Sequence, residues 1–451
     1  MKKFLCIIIC FFTNVGYTQL IEANPESMGI SSERLERITE LSKEYINDFN
    51  IPGIVTIVSR KGKIVYYKAF GSRDVQGEDK LLKDDLFRIY SMTKPVTAVA
   101  IMQLYEQGKF SLNDPVSKFL PEFNNLKVLN EDGVLEDVST TMRMHHLLTH
   151  TAGFSYGFSD DPLDKQYAKA DLFFSKNLED LVNRVAKLPL KFQPGTRYHY
   201  SIAVDLTGLI IERLSGQSLD KYFTENIFKP LGMNDTFFQV PNDKRDRFLT
   251  RYRYDVKNKY PVEYPSNPRQ AMSDFINVSM FSGGGGLVST AMDYMIFAES
   301  LRNGGAYNGQ RILSSKTIKF MTKNHLESVI KPFQGGDMDF LKKRNSDGLG
   351  WGIGFGLVTD TTKKQIVGSD GEYYWQGPSS IFWVDPVEEI VVVSMIQIMS
   401  APFDRRSDIK IATYQAIDET YENPGSLSLT NSIGILNVGS FRTFNRRINS
   451  H

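Results

Sequence analysis

The chain has 451 residues, with 53 basic and 52 acidic side chains, 41% hydrophobic and 23% charged. So even a charge balance argues against a nucleic-acid partner, which requires a basic footprint. The apolar fraction excludes a disordered chain and is ample for a sizeable core.

In chain order, residues 1–18 read as a secretory leader. Lys2 and Lys3 precede an apolar run over 4–12 that is too short to span a bilayer. Cleavage around residue 18 or 19 predicts a secreted or periplasmic protein with no membrane span afterwards. Both cysteines, Cys6 and Cys10, lie in the leader, so the mature chain has no disulfide, Cys nucleophile or Cys-zinc site. A lipoprotein would acylate Cys10, but Ile8 and Ile9 stand where small residues are needed. Ser31 and Ser32 predict N-caps for a helix over 33–47, with Leu35, Ile38, Leu41 and Ile46 on its apolar face. The β-branched and aromatic runs 54–58 and 63–67 flank Arg60-Lys61-Gly62 and predict a hairpin.

From about 91 to 300 the periodicity is mostly helical, with Gly/Pro-rich loops. Strand patterns return at 351–359, 380–384 and 390–398, and a last helix is expected over 407–419. Residues 421–451 lose the pattern and read as a tail. Strands at both ends with helices between predict one sheet built from the two terminal segments, flanked by helices, with the helical region inserted.

Serine hydrolysis needs a hydroxyl beside a fixed base. Ser-x-x-Lys at a helix start supplies one, because positions i and i+3 share a face. The pattern occurs at Ser91/Lys94, Ser218/Lys221 and Ser407/Lys410. After Ser91 comes Met92-Thr93-Lys94-Pro95-Val96, opening a helix that is apolar on every face and therefore buried. A lysine there loses charge readily and can accept a proton, while the helix N-terminus favours a developing oxyanion. Ser218 instead caps a polar helix, and Ser407 and Lys410 lie among Arg405, Arg406 and Asp408, on what reads as a solvated face.

Gly153-Phe154-Ser155-Tyr156-Gly157 matches the Gly-x-Ser-x-Gly elbow of α/β-hydrolases, which requires a strand before it and a helix after it. Here a short helix over 144–150 precedes it and a loop follows. His146 and His150 stand at i, i+4, a spacing that can suit zinc, but without the Glu of His-Glu-x-x-His.

The Ser91-Met92-Thr93-Lys94-Pro95 segment and its helix resemble the Ser-x-x-Lys element of the serine β-lactamase and penicillin-binding protein group. The resemblance is closest to class C β-lactamase-like esterases and D-amino-acid peptidases. Leu147-Leu148-Thr149-His150-Thr151-Ala152-Gly153-Phe154 is similar to another family segment, as are residues 194–201 and 282–293. The likeness covers about 25 to 420. It implies a β-lactamase/transpeptidase-like fold with an antiparallel sheet, and Ser91 as the acylated nucleophile. Lys94 would be its proton partner and Tyr200 a second acid/base, its phenol pKa lowered by cations such as Lys94. No metal or organic cofactor is implied.

Two departures stand out. Ile202 occupies the place of an Asn that holds substrate in β-lactamases. Tyr374-Trp375-Gln376-Gly377 stands where a Lys-Thr-Gly strand binds the β-lactam carboxylate, and resembles the Trp-x-Gly of esterase-type members. An indole in place of a cation favours a neutral ester or amide. Pro378 has no N–H, so either Ser379 supplies the second oxyanion donor or the hole is incomplete and catalysis poor. Trp375, Gly377, Ser379 and Tyr156, with Phe158 nearby, are the expected substrate contacts. The expectation is an exported serine hydrolase acting on a small ester, with peptidase, amidase or weak β-lactamase activity and a non-catalytic binding protein as alternatives. Oligomeric state is not legible.

Overall fold

A computed structural model describes residues 20–267, 274–327, 330–332, 346–378, 380–418 and 420. The predicted leader (1–18) and tail (421–451) lie outside them. Two runs of β-branched residues form a hairpin, β1 (Gly53–Arg60) and β2 (Lys63–Gly71). Its two-residue turn places Lys61 and Gly62 at φ 54° and 72°, as a hairpin of matching twist requires.

Five strands follow much later: β3 (Leu349–Trp351), β4 (Gly356–Val358), β5 (Tyr373–Gln376), β6 (Ser380–Asp385) and β7 (Ile390–Met395). They join the hairpin in one sheet of order β3-β4-β5-β6-β7-β1-β2. All pairings are antiparallel, β1 meeting β7 with Val55 opposite Met395 and Arg60 opposite Ile390. The expected strand over 351–359 is two short strands that fold back on each other, Trp351 facing Gly356.

Alternation along the strands sorts two cores. Val55, Ile57, Phe382, Val384, Val391 and Val393 join the apolar residues of α2 (Thr93–Glu106) and α4 (Ala291–Arg302). Ile54, Val58, Ile381, Trp383, Ile390 and Val392 join those of α1 (Ser32–Phe49) and α5 (Arg405–Tyr414). With helices on both faces, every residue of β1 is buried, which explains why Ile54-Val55-Thr56-Ile57-Val58 is β-branched throughout and does not alternate with charged residues. The Ser31 Oγ caps α1 by accepting the Arg34 N–H at 3.2 Å. The region between the hairpin and β3 carries α2, α3 (Ala203–Ser215) and α4, but also small hairpins such as Tyr252–Asp255 with Tyr260–Glu263.

One expectation fails at α5. The helix begins earlier and ends sooner than 407–419, and Arg405, Arg406 and Lys410 are buried instead of solvated. For Arg406 and Lys410 the reason is Glu372, a buried carboxylate before β5 that pairs with Lys410 Nζ at 2.5 Å and Arg406 NH2 at 3.1 Å. Among the described residues no helix is long and apolar enough to cross a membrane.

Candidate active site

The short strand Phe87–Arg88 runs into a turn, Tyr90–Met92, and then directly into α2. Tyr90 holds φ 44°, a left-handed conformation costly for a tyrosine. The turn is fixed on both sides: Ile89 N–H donates to Leu287 O at 3.1 Å, and Tyr294 OH to Met92 O at 2.8 Å. As predicted from its composition, α2 is buried from Thr93 through Leu104. Ser91, just before it, is partly exposed, whereas Lys94 is 1% exposed.

Three side chains from two distant segments meet here. Tyr200 OH donates to Ser91 Oγ at 2.7 Å, Lys94 Nζ lies 3.3 Å from the same oxygen, and Lys94 donates to Gly284 O at 2.6 Å. Burial pushes the Lys94 ammonium down to about 7, opposed in part by the Asp205 carboxylate. For Tyr200 the expected lowering does not occur. Burial raises its phenol pKa, and the bond to Ser91 offsets only part of the rise. Near pH 7 the phenol therefore keeps its proton while the amine is about half neutral. A neutral amine can accept the Ser91 hydroxyl on its lone pair while its own N–H bonds Gly284.

Behind Lys94 lies a layer that the motifs did not reveal. Asp205, in the first turn of α3, is fully buried. It accepts Tyr156 OH at 3.0 Å, Gly284 N–H at 3.0 Å and the Ser282 hydroxyl. Gly284 must be glycine, since a Cβ there would sit 2.1 Å from Asp205 Oδ2. The available signal was a lone Asp in the apolar run Ile202-Ala203-Val204-Asp205-Leu206.

Tyr200 is held by His150. The His150 carbonyl accepts His199 N–H at 2.8 Å and its Nδ1 accepts Ser201 N–H at 3.2 Å, one bond on either side of Tyr200. Burial keeps this imidazole pKa well below its ordinary value. His150 and His146 share no helical face, because the helix stops at Leu148 and His150 adopts φ 56°.

Trp375 on β5 is buried with its ring centroid 5.4 Å from Tyr200 and 4.6 Å from Trp351. Tyr156 lies 5.4 Å from Tyr200 and stacks at 4.9 Å on Phe158, which is 55% exposed. At Gly377 a Cβ would meet Ile89 O at 2.7 Å, and the Gly377 N–H is engaged by Ser380 O at 2.7 Å. Pro378 is exposed, and Ser379 lies outside the described residues. Ile202 is fully buried at the start of α3.

The rival motifs take structural places. Ser218 and Lys221 are both exposed at the start of the short helix Leu219–Phe223. Ser155 is buried, donating to Asp164 Oδ1 at 2.5 Å and lying 3.3 Å from His199 Nε2. The helix Met144–Leu148 comes before it, so the strand an elbow needs is missing.

An antiparallel sheet made from both ends of the chain, helices on each face and a helical insert together define a β-lactamase/transpeptidase-like fold. The chain belongs to the beta-lactamase family, whose model matches residues 38–416, and this places it among serine hydrolases. It is 33% identical over 356 residues to Protein Rv1367c of Mycobacterium tuberculosis, covering 77% of this chain and 86% of that protein. It is 26% identical to the "Putative D-alanyl-D-alanine carboxypeptidase" of Escherichia coli K12, over 87% and 88% of the two chains. Identity to Esterase EstB of Burkholderia gladioli is 29%, over 59% and 69%. Among solved structures, EstCE1, "a hydrolase with promiscuous acyltransferase activity", aligns with TM-score 0.72 and 26% identity over 85% of this chain and 99% of that one.

Proposed function

We propose that the protein is an exported serine hydrolase that cleaves carboxylic esters through an acyl-enzyme on Ser91. The observation that carries this reading is the convergence on one oxygen. Ser91 Oγ has a phenol at 2.7 Å and a buried amine at 3.3 Å. Lys94 takes the hydroxyl proton as Oγ attacks the carbonyl carbon. An ordinary lysine, with pKa 10.5, is neutral in about one molecule in three thousand at pH 7, whereas one titrating at about 7 is half neutral. Tyr200, which keeps its proton, then protonates the departing alkoxide. The oxyanion is met by the Ser91 N–H just before α2, while the Gly377 N–H is occupied by Ser380 O and Pro378 has none. In the second half the Tyr200 phenolate takes a proton from the attacking water, and Lys94 returns its proton to Ser91 Oγ as the acyl–oxygen bond breaks, which releases the acid and restores the site. No metal or cofactor takes part.

Trp375, standing where the resemblance places a lysine, supports a neutral ester, since an indole offers no charge to hold a substrate carboxylate. Tyr156, Trp375 and Gly377 line the cleft in this reading. A second reading, a peptidase or amidase for D-amino-acid peptides, is favoured by the carboxypeptidase-named relative. The test is intact and peptide mass spectrometry after treatment with a fluorophosphonate, together with p-nitrophenyl butyrate turnover. An adduct on Ser91 that vanishes with turnover in Ser91→Ala is expected. An adduct on Ser155, or none, refutes the proposal, the latter in favour of a non-catalytic binding protein. Faster turnover of a D-alanyl-D-alanine peptide than of the ester would favour the second reading.

A further inference from the structure

We infer that Asp205 is a positioning residue for Lys94, acting through the Gly284 backbone and through its own charge. This rests on the proposed role of Lys94 and goes beyond it. The carboxylate is fully buried, and its bonded partners are all neutral: the Tyr156 phenol, the Ser282 hydroxyl and the Gly284 N–H. Among the described residues no Lys or Arg forms an ion pair with it. A buried carboxylate without a bonded cation is expensive, and an asparagine could satisfy most of the same donors more cheaply. Its place therefore calls for a reason beyond packing.

The loop from Ser282 to Gly284 supplies the link. The Gly284 N–H is anchored on Asp205 Oδ1 at 3.0 Å, and the Gly284 C=O receives Lys94 Nζ at 2.6 Å. The N–H and C=O of Gly284 lie in successive peptide planes joined at its Cα, so holding that N–H, with Ser282 held by the same carboxylate, fixes the loop that presents the C=O to Lys94. With one N–H committed to Gly284 O, the amine lone pair is left facing Ser91 Oγ at 3.3 Å. The absence of a side chain at 284 lets the carboxylate approach this closely. Among the described residues, the titratable groups facing Lys94 are Asp205, the Tyr200 ring at 4.7 Å, the Tyr156 ring at 5.2 Å, and His150. Both phenols have pKa values raised by burial and His150 has a lowered one, so all three stay uncharged near pH 7. Asp205 is the one carboxylate among them, and it works against the burial that strips Lys94 of its proton.

The experiment uses the full chain. The pH dependence of kcat/KM for p-nitrophenyl butyrate and of the fluorophosphonate labelling rate is measured for wild type, Asp205→Asn and Ser282→Ala. In Asp205→Asn the amide oxygen can still accept from Ser282 and Gly284, and its nitrogen can donate to the Tyr156 oxygen, so the fold should persist. The expected result is an acid limb displaced downward by about one pH unit, with a plateau lower by about tenfold. Ser282→Ala keeps the charge, so its limb should stay in place while its plateau falls. An unmoved or raised limb in Asp205→Asn overturns the inference, as does an equal downward displacement in both variants. If Asp205→Asn does not fold, a downward displacement in Ser282→Ala still overturns it. A wild type that takes no adduct on Ser91 defeats the proposed function itself. An active wild type whose limb ignores Asp205→Asn defeats only the present inference.

Discussion

A Gly284→Ala substitution adds one methyl group where the protein has no room for it. The new carbon would lie 2.1 Å from Asp205 Oδ2, 2.7 Å from Asp205 Cγ and 2.7 Å from Tyr156 OH. Ordinary carbon–oxygen contacts begin at about 3.3 Å, so the carboxylate or the Gly284 loop must move by about 1 Å. That breaks one or two of the three hydrogen bonds on Asp205. Each bond to a charged group is worth about 1.5–3 kcal/mol. A smaller gain of about 0.5–1 kcal/mol comes from stiffening the unfolded chain, leaving a net loss of about 2–4 kcal/mol. Because the same residue carries the acceptor of Lys94, kcat/KM should fall by about a hundredfold. Urea denaturation and p-nitrophenyl butyrate kinetics read the two effects. Gly108→Ala serves as a control: it has open space around it and φ 69°, so it should cost about 1 kcal/mol of backbone strain and no activity. A Gly284→Ala protein within about 1 kcal/mol of wild type, with full kcat/KM, would refute the reasoning.

Wild-type kcat/KM should rise with pH through about 7, because Lys94 must lose its proton to act; a flat profile between pH 5 and 9 would contradict this. The same group binds a proton more readily in the unfolded chain than in the folded one, so its contribution to stability increases as pH rises from about 7 toward 10.5. Lys94→Met should accordingly abolish turnover yet raise stability at pH 6, by about 2–4 kcal/mol in urea denaturation. Glu372→Gln leaves Lys410 and Arg406 buried without their anion and should cost about 3–5 kcal/mol by the same measurement. Ile202→Asn restores the β-lactamase residue type but puts an amide into a fully apolar position. It should lose about 3 kcal/mol without gaining nitrocefin turnover.

Much of the fold was legible because its signals are local or periodic. The hairpin around Lys61-Gly62 and the apolar helix after Ser91 follow from composition over a few residues. The first serine was separable from its two rivals for the same reason: only its helix is apolar all round. Where sequence reasoning failed, the deciding partner was far along the chain. Lys410 reads as solvated until Glu372 is placed beneath it, and Asp205 has no motif value until Gly284 arrives beside it. The Tyr200 phenol was expected to be acidified by a neighbouring cation. Burial instead dominates, and it also removes the charge from that neighbour. The i, i+4 spacing of His146 and His150 places no shared face, because the helix is two residues shorter than its periodicity suggests.

The placement of β1 between β2 and β7 has a consequence for synthesis. When the hairpin leaves the ribosome, one edge of a strand destined for full burial is bare, and its partner Ile390–Met395 has yet to be translated. Such an edge is an aggregation template. The nascent chain must therefore be shielded by a chaperone or kept extended until nearly all of it exists. Any product truncated before residue 390 would carry the serine without the sheet that supports it.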